Sequence, residues 1–204
     1  PDPTGAVGPN HIVEMTNTVW AVFDKTGVMA SGFPKSLSDP LGAGNGDPIV
    51  LYDREADRWL ITQFNFNSQF KIAVSTTPDP TGTYTVYAFA SGSNDYPHYG
   101  IWGDSYIVTG NFSSTGRFHA FNRQKMIDGD ASAEMAPGPA PIVWFQDNAW
   151  SGVSTDHIKV WDFDVDWSNP GAASVTTPIE IPLAAFDSFI AGTGGDAFAN
   201  LAQP

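Results

Sequence analysis

The sequence repeats itself with a period of about 47 residues. Three pairs of similar positions lie at nearly equal offsets, namely Asp47 with Asp95 (48 residues), Asp57 with Asp104 (47 residues) and Lys71 with Arg117 (46 residues). A period of this length is typical of the four-stranded blades of a β-propeller. We therefore expect three recognisable units at about residues 47 to 92, 95 to 135 and 142 to 186, preceded by a partial unit at 11 to 35.

Glycine and proline interrupt the chain too often for long helices. The 204 residues include 20 glycines and 16 prolines, and the apolar positions between these breakers mostly alternate with a period of two, which predicts strands. Only Arg123–Asp128, the sequence RQKMID, has the pattern of a helical turn. The predicted strands are His11–Met15, Val19–Phe23, Ile49–Tyr52, Trp59–Phe64, Lys71–Ser75, Tyr84–Phe89, Tyr106–Thr109, Arg117–Phe121, Ile142–Phe145 and Ile158–Trp167.

The repeat and the strand pattern together predict an all-β fold, a β-propeller of four-stranded antiparallel blades in a single domain, 1–204. A blade buries both of its faces, which accounts for apolar runs such as IVLY and WLI in place of clean alternation. The chain supplies about three to four blades, either as a small four-bladed ring or as part of a larger one. The tetrapeptide DPTG, at Asp2–Gly5 and again at Asp79–Gly82, predicts a type I turn in both places.

The charge balance excludes several classes of protein. The chain has 9 Lys plus Arg against 22 Asp plus Glu, which gives a net charge of −13. Nucleic-acid phosphates are bound by clustered Lys and Arg, so we expect no nucleic acid partner. No apolar run approaches the roughly 18 residues of a membrane-spanning helix, so we expect no membrane insertion. The chain contains no cysteine and therefore forms no disulfides.

Five segments carry a resemblance to a known family. They are DPTGAVGPNHIVEMTNTVWAVFDKTG from Asp2, GDPIVLYDREADRWLITQF from Gly46, AVSTTPDPTGTYTVYAF from Ala73, DYPHYGIWGDSYIVTGNF from Asp95 and AFNRQKMIDG from Ala120. On these motifs, which cover most of the chain, the sequence resembles a family of large secreted bacterial β-propeller proteins, most of them uncharacterised. The resemblance implies the N-terminal half of a longer propeller, in which AFANLAQP at 197–204 is followed by further blades.

The resemblance has one departure and one limit. The stretch MAPGPAP, Met135 to Pro141, is shorter than the loop that the family has there, so we expect residues to be missing at this point. The family has no established reaction, and a shared fold does not supply one. No catalytic residue is therefore carried over from the family to this chain.

Three carboxylates in WDFDVDW are candidate metal ligands. Asp162, Asp164 and Asp166 occupy every second position, a spacing that supplies oxygen ligands to calcium in loops of the EF-hand type. The glycine of such a loop is absent, since Trp167 stands in its place. On a strand the three carboxylates would instead form one solvated face, which is the favoured interpretation, and calcium is the alternative.

Recurring carboxylates and one histidine are the catalytic candidates. Asp95 and Asp104 recur at equivalent places in the repeat, as do Asp53, Glu55 and Asp57, and pairs of carboxylates carry out glycoside hydrolysis. His98, in DYPHYG, could bind a ligand or act as a general acid at the end of a blade. The competing interpretation places the carboxylates in surface turns and His98 in a packed turn.

Aromatic side chains are the candidates for ligand binding. Tyr96 and Trp102 could stack on a sugar ring. Blade interfaces also need large flat apolar side chains, so the competing interpretation places Trp59, Trp102 and Trp161 in the core.

The sequence lacks the signatures of the common nucleophilic and nucleotide-binding enzymes. It has no GxSxG, no SxxK and no glycine-rich phosphate loop. We therefore expect a secreted or cell-surface module that binds or scaffolds, with a glycan or another protein as its ligand. The alternatives are an extracellular glycan-active enzyme, a hydrolase or lyase that uses carboxylates at the channel mouth, and a structural assembly subunit. The expected partners are the remaining blades of the same protein or a second chain, which would cover the apolar faces of the terminal blades.

Overall fold

The computed structural model describes residues 2–65, 69–91, 94–112, 118–138, 143–146 and 156–184. The chain divides into two compact units. The first unit comprises Pro1–Pro139 with Val165–Ala173, and the second comprises Ala140–Asp164 with Ser174–Pro204. The segment 197–204, which the resemblance places before further blades, lies outside the described residues.

The first unit contains three four-stranded antiparallel sheets in which each strand pairs with the next along the chain. The strands of sheet 1 are β1 (Thr4–Val7), β2 (His11–Met15), β3 (Val19–Asp24) and β4 (Lys35–Ser36). Those of sheet 2 are β5 (Gly46–Asp53), β6 (Arg58–Asn65), β7 (Gln69–Ser75) and β8 (Tyr84–Ala90). Those of sheet 3 are β9 (Asn94–Trp102), β10 (Ser105–Phe112), β11 (Phe118–Asn122) and β12 (Met135–Gly138). The predicted all-β architecture of repeated four-stranded antiparallel sheets is thus confirmed.

Sheet 2 is buried on both faces, as its apolar runs predict. Leu60 and Ile61 are adjacent on β6, and neither is exposed to solvent. Ile61 belongs to a core that includes Val13 and Trp20 of sheet 1, whereas Leu60 belongs to a core that includes Tyr106 of sheet 3. Successive side chains of a strand point to opposite faces, so one strand supplies both cores.

The first strands of the three sheets lie beside one another. Strand β1 contacts β5, and β5 contacts β9. Each sheet therefore places its first strand at the common boundary, while its later strands follow outward in chain order.

Two short helices connect elements of the first unit. Helix α1 (Ser38–Leu41) follows sheet 1. Helix α2 (Arg123–Ile127) confirms the predicted helical turn, and the side chain of Asn122 caps it by accepting a hydrogen bond from the Lys125 N–H at 3.1 Å. No helix among the described residues is long and apolar enough to cross a membrane.

Several predictions of local structure differ from the structure. In the first unit, strands β1, β4, β9 and β12 are missed. At β9 the reason is that Pro97 and Gly100 lie inside the strand and break its apolar pattern. The first unit of the repeat is expected to be partial and to cover 11–35. Its sheet instead has four strands, because β1 precedes the predicted start and pairs with β2. The predicted missing loop at 135–141 falls on β12, with 139–141 outside the described residues.

The two DPTG tetrapeptides adopt different conformations. Asp79–Gly82 is the predicted turn, in which the Gly82 N–H donates to the Asp79 carbonyl at 3.2 Å. At Asp2–Gly5 the turn prediction is wrong, because β1 starts at Thr4 and Asp2 has a φ of 38°.

The second unit contains a three-stranded antiparallel sheet and a two-stranded one. The larger sheet has the order β13 (Val143–Gln146), β14 (His157–Val160), β17 (Ile179–Pro182), and the smaller pairs β15 (Phe163–Asp164) with β16 (Ser174–Val175). The predicted strand Ile158–Trp167 is therefore interrupted after Val160. A 3₁₀ helix, Pro170–Ala172, belongs to the first unit.

Candidate functional site

A cleft of about 300 Å³ lies where the first strands of the three sheets begin. It is lined by three consecutive residues at or just before the first strand of each sheet, at positions 2–4, 47–49 and 96–98. We call it the strand-start cleft. Because β1, β5 and β9 lie side by side, equivalent positions of the repeat are brought together there.

The same β-bulge recurs at the start of β5 and of β9. In sheet 2 the register shifts between Gly46 and Ile49, and in sheet 3 it shifts between the partners of Thr109 and Asn111. The extra residues are Asp47-Pro48 and Tyr96-Pro97. Proline donates no hydrogen bond to the ladder, and bulges often re-aim a side chain beside a functional site.

The residue before each of these prolines has a left-handed backbone. The φ angles are 43° at Asp47 and 55° at Tyr96, and Asp2, before Pro3, has a φ of 38°. Such conformations are uncommon outside glycine and persist where the surrounding structure holds them. The three sheets thus present one local conformation three times at the strand-start cleft.

Hydrogen bonds connect the three sheets at this cleft. Asn17, in the turn between β2 and β3, donates from Nδ2 to Asp2 Oδ2 at 2.6 Å and accepts from the Asp47 N–H at Oδ1 at 2.9 Å. The Asp47 carboxylate in turn accepts a hydrogen bond from the Tyr96 N–H of sheet 3. Each sheet is therefore held to the next at the rim of the cleft.

The electrostatic field of the cleft is negative. Partial burial raises the pKa of Asp47, and the nearby negative charges of Asp2 and Asp95 raise it further. The hydrogen bond from the Tyr96 N–H acts in the opposite direction and does not cancel them. Asp47 therefore holds a proton more readily than an ordinary aspartic acid does.

An aromatic pair stands at the mouth of the cleft. The rings of Tyr96 and His98 meet edge to face with centroids 4.5 Å apart. Tyr96 is 62% exposed and His98 is also exposed, so both rings face solvent. The prediction of a packed turn for His98 is wrong, since the residue lies on β9.

The residues predicted for the site fall into two groups. Asp95, Tyr96 and His98 lie together at the start of β9, whereas Trp102 ends that strand and Asp104 lies in the turn that follows. His98 and Trp102 are four residues apart on β9, which places them about 13 Å apart along the strand. The carboxylate of Asp104 accepts a hydrogen bond from the Ser105 hydroxyl at 2.9 Å, which is a local turn contact.

The three predicted core tryptophans have different environments. Trp59 is buried, as predicted. Trp161 is half-buried. Trp102 is 79% exposed, so the prediction that it belongs to the core is wrong.

The carboxylates of WDFDVDW are solvent-exposed. Asp162, Asp164 and Asp166 are exposed and alternate with half-buried apolar residues, although the only strand pairing here is at β15. Asp166 accepts hydrogen bonds from the Ser168 hydroxyl and, at Oδ1, from the Ser168 N–H at 2.8 Å. These two hydrogen bonds lower the pKa of Asp166. Within the described part of the chain, no group of three His, Cys, Asp or Glu side chains is placed to hold a metal ion.

Sequence reasoning missed a buried network between sheets 2 and 3. The Arg123 guanidinium donates from Nε and Nη2 to the carboxylate of Asp53, which is 1% exposed. The Tyr106 hydroxyl donates to the same carboxylate at 2.9 Å, and the N–H groups of Glu55 and Ala56 donate to its other oxygen at 3.2 Å. The sequence marks Asp53 only as one of several recurring carboxylates, and nothing local marks its partner 70 residues away.

The network holds Asp53 ionised. Burial alone would raise the pKa of Asp53, but the hydrogen bonds from Arg123, from the Ala56 N–H and from Tyr106 outweigh it and lower the pKa. Burial and the Asp53 charge together raise the pKa of the Tyr106 hydroxyl. These shifts describe a structural ion pair, because the carboxylate is enclosed by donors.

Comparison with known proteins finds no match: no family model, no curated protein and no solved structure corresponds to this chain.

Proposed function

We propose that this chain is part of a β-propeller and acts as a carbohydrate-binding module, with the strand-start cleft as its ligand site. Sheets 1 to 3 are its blades. Two features support the propeller: each sheet is a four-stranded meander, and the first strands of successive sheets are neighbours. Sheet 2, buried on both faces, has the environment that a blade inside a ring requires.

One observation carries the assignment of the site. Three sheets contribute the same element, a left-handed residue followed by proline, to a single cleft. Ligand sites collect where repeated or strand-end elements converge and present a few polar groups in a concave surface. Tyr96 and His98, which the sequence suggests as ligand-binding residues, both line this cleft.

The chemistry of the cleft favours a sugar. Carboxylates at Asp2 and Asp47 accept hydrogen bonds from hydroxyl groups. The rings of Tyr96 and His98 offer apolar faces to the C–H groups of a pyranose. We propose that the protein works at the cell surface or after secretion, where glycans are abundant, and that the remaining blades of the same protein or a second chain are its partners.

A glycan-active enzyme is the second candidate function. It is favoured by the raised pKa of Asp47 beside the carboxylates Asp2 and Asp95, since glycoside hydrolysis uses a carboxyl group of raised pKa together with a second carboxylate. Release of reducing sugar from a polysaccharide, lost in Asp47→Asn, would establish this candidate.

Calorimetric titration with soluble oligosaccharides tests the proposal. We expect binding with a Kd of about 1 mM or tighter, weakened at least tenfold by Tyr96→Ala. Val28→Ala should leave binding unaffected, because Val28 is an exposed apolar residue between β3 and β4 that does not line the cleft. An ordered oligomer that binds no oligosaccharide would favour a structural assembly subunit and refute the proposal.

A further inference from the structure

A second groove lies at the opposite ends of β5 and β9 from the strand-start cleft. Its volume is about 560 Å³, and its walls are the hairpin ends around Tyr52–Glu55 and Ile101–Gly103. The strand-start cleft uses the beginnings of these strands, so the two sites share no lining residue. We call this second site the hairpin groove. Its volume is within the range of small-molecule sites.

Trp102 dominates the hairpin groove. It is the last residue of β9, before the tight turn at Gly103 and Asp104, and 79% of it is exposed. A large aromatic side chain is usually buried, because its exposure to water is unfavourable. An exposed indole in the wall of a groove therefore indicates a surface that a ligand can cover. Ile101 and the half-buried ring of Tyr52 add apolar surface beside it.

Arg123 fixes the two walls relative to one another. Its guanidinium binds Asp53 on one hairpin through Nε and Nη2, at 2.7 and 2.8 Å. Its Nη1 donates to the carbonyl of Gly103 on the other hairpin at 3.3 Å. One half-buried side chain thus connects both walls, so little conformational freedom is lost when a ligand binds.

The walls of the hairpin groove carry charges of both signs. Asp53 is paired with Arg123, and Glu55 lies 3.3 Å from Nη2 of the same guanidinium. Arg54 is exposed and adds a second positive charge. Asp57, bonded to Tyr52, and Asp104, beside Gly103, add negative charge, which disfavours an anionic ligand. The mixture of donors and acceptors suits the hydroxyl groups of a neutral ligand. Arg54 supplies donors and the exposed Glu55 supplies acceptors at the rim.

From this combination we infer that the hairpin groove is a second carbohydrate subsite, in which a pyranose ring stacks on Trp102. The C–H groups of one pyranose face carry partial positive charge and fit the negative face of an indole. The ring hydroxyls are bound by Arg54 and Glu55. This site is independent of the strand-start cleft, so either one can fail without the other.

The test is a nuclear magnetic resonance titration of the full chain labelled with ¹⁵N. Soluble hexasaccharides of cellulose, xylan, chitin and starch serve as probes at up to about 10 mM, because a single subsite binds weakly. The indole N–H signal of Trp102 is identified from its loss in Trp102→Phe. We expect at least one hexasaccharide to shift this signal together with the backbone signals of Arg54 and Glu55.

Variants separate this site from the strand-start cleft. Trp102→Ala should weaken the response at Arg54 at least tenfold, Arg54→Ala should weaken binding a few-fold, and Val28→Ala should leave it unchanged. Trp102 is exposed, so its replacement should leave the remaining spectrum native.

Four outcomes would overturn the inference. They are no shift at Trp102 with any hexasaccharide, an undiminished response at Arg54 in Trp102→Ala, shifts confined to Tyr96 and His98, and a Trp102 signal that moves with protein concentration alone. Shifts confined to Tyr96 and His98 would leave the proposed function of the strand-start cleft intact. A Trp102 signal that depends on protein concentration alone would mean that the groove is a contact between copies of the chain.

Discussion

Arg123, the first residue of α2, forms a bidentate ion pair with Asp53, the last residue of β5. Its hydrogen bonds to the two carboxylate oxygens are 2.7 and 2.8 Å long. The pair joins sheet 3 to sheet 2. Charge-assisted bonds of this geometry are strong and directional, and removal of one partner leaves the other charge buried.

Replacement of Asp53 should therefore destabilise the fold. We expect Asp53→Ala to lower the free energy of unfolding by about 3 to 5 kcal/mol, because Arg123 is left without its counter-ion. Urea denaturation at neutral pH measures the change. The matched control is Glu55→Gln, which removes a carboxylate that also faces Arg123 but is 82% exposed, and should change stability by less than about 1 kcal/mol. Equal effects of the two substitutions would contradict this account.

His119 should make stability sensitive to mild acid. Burial lowers the pKa of His119 on β11 to about 4, compared with 6.5 for an ordinary histidine. Between pH 6.5 and 4 the unfolded chain binds a proton at His119 and the folded chain does not. The contribution of neutral, buried His119 to stability is therefore fully present above pH 6.5 and is lost as the pH falls towards 4. The loss amounts to at most about 3 kcal/mol.

The variant His119→Leu isolates this effect. Its stability should change less than that of the native chain between pH 6.5 and 4 in a series of urea denaturations. Asp53 contributes little to the change in this range, because a carboxylate whose pKa is lowered in the folded state loses its stabilising effect mainly below the ordinary aspartic acid pKa of 3.8. An unchanged acid response in the variant would show that another group is responsible.

Gly8 tests the packing of sheet 1 on sheet 2. A Cβ atom at this position would lie 2.6 Å from the ring of Trp59, which is a severe overlap with a buried side chain. Gly8→Ala should therefore cost about 1 to 3 kcal/mol in the free energy of unfolding. Gly171→Ala is the control, since a Cβ there meets nothing within 4 Å, and it should be neutral to within about 0.5 kcal/mol. A neutral Gly8→Ala would show that the two surfaces are not in contact.

Asp47 should destabilise the fold when ionised. Its pKa is raised by burial and by the charges of Asp2 and Asp95, so its contribution is favourable at low pH and is lost as the pH rises through the raised pKa. We expect Asp47→Asn to stabilise the chain by a few tenths of a kcal/mol at pH 7 and to have no such effect at pH 3, since solvent screens most of the repulsion. Thermal unfolding at the two pH values measures the difference. Stabilisation that is independent of pH would mean that neither the burial of the ionised Asp47 carboxylate nor its repulsion by Asp2 and Asp95 is the cause.

Much of the fold follows from the sequence because the signal is local. β2 matches its predicted strand at both ends, and the breakers that bound it are adjacent in sequence. Reliance on local signals also explains why β9 is missed. Pro97 and Gly100 interrupt its apolar pattern, although the strand accommodates Pro97 in a bulge. Local patterns detect strands whose breakers lie outside them.

The candidate sites follow from the sequence only in part. Asp95, Tyr96 and His98 are neighbours in sequence and remain together, but Asp2 and Asp47 join them only because three first strands are adjacent. Composition places a tryptophan in the core by default, and only the position of Trp102 at a strand end explains its exposure. Contacts of long range in the chain leave no mark in a single sequence.

The proposed blades require that sheet 2 is covered on one face by sheet 1 and on the other by sheet 3. Nuclear Overhauser spectroscopy of the full chain measures both contacts. We expect cross-peaks between the α protons of Gly8 and the indole ring of Trp59, and between the rings of Phe70 and Phe121, whose centroids are 5.8 Å apart. Absence of either cross-peak in a spectrum where all four residues are assigned would contradict the stacking of the sheets, and with it the proposed blades.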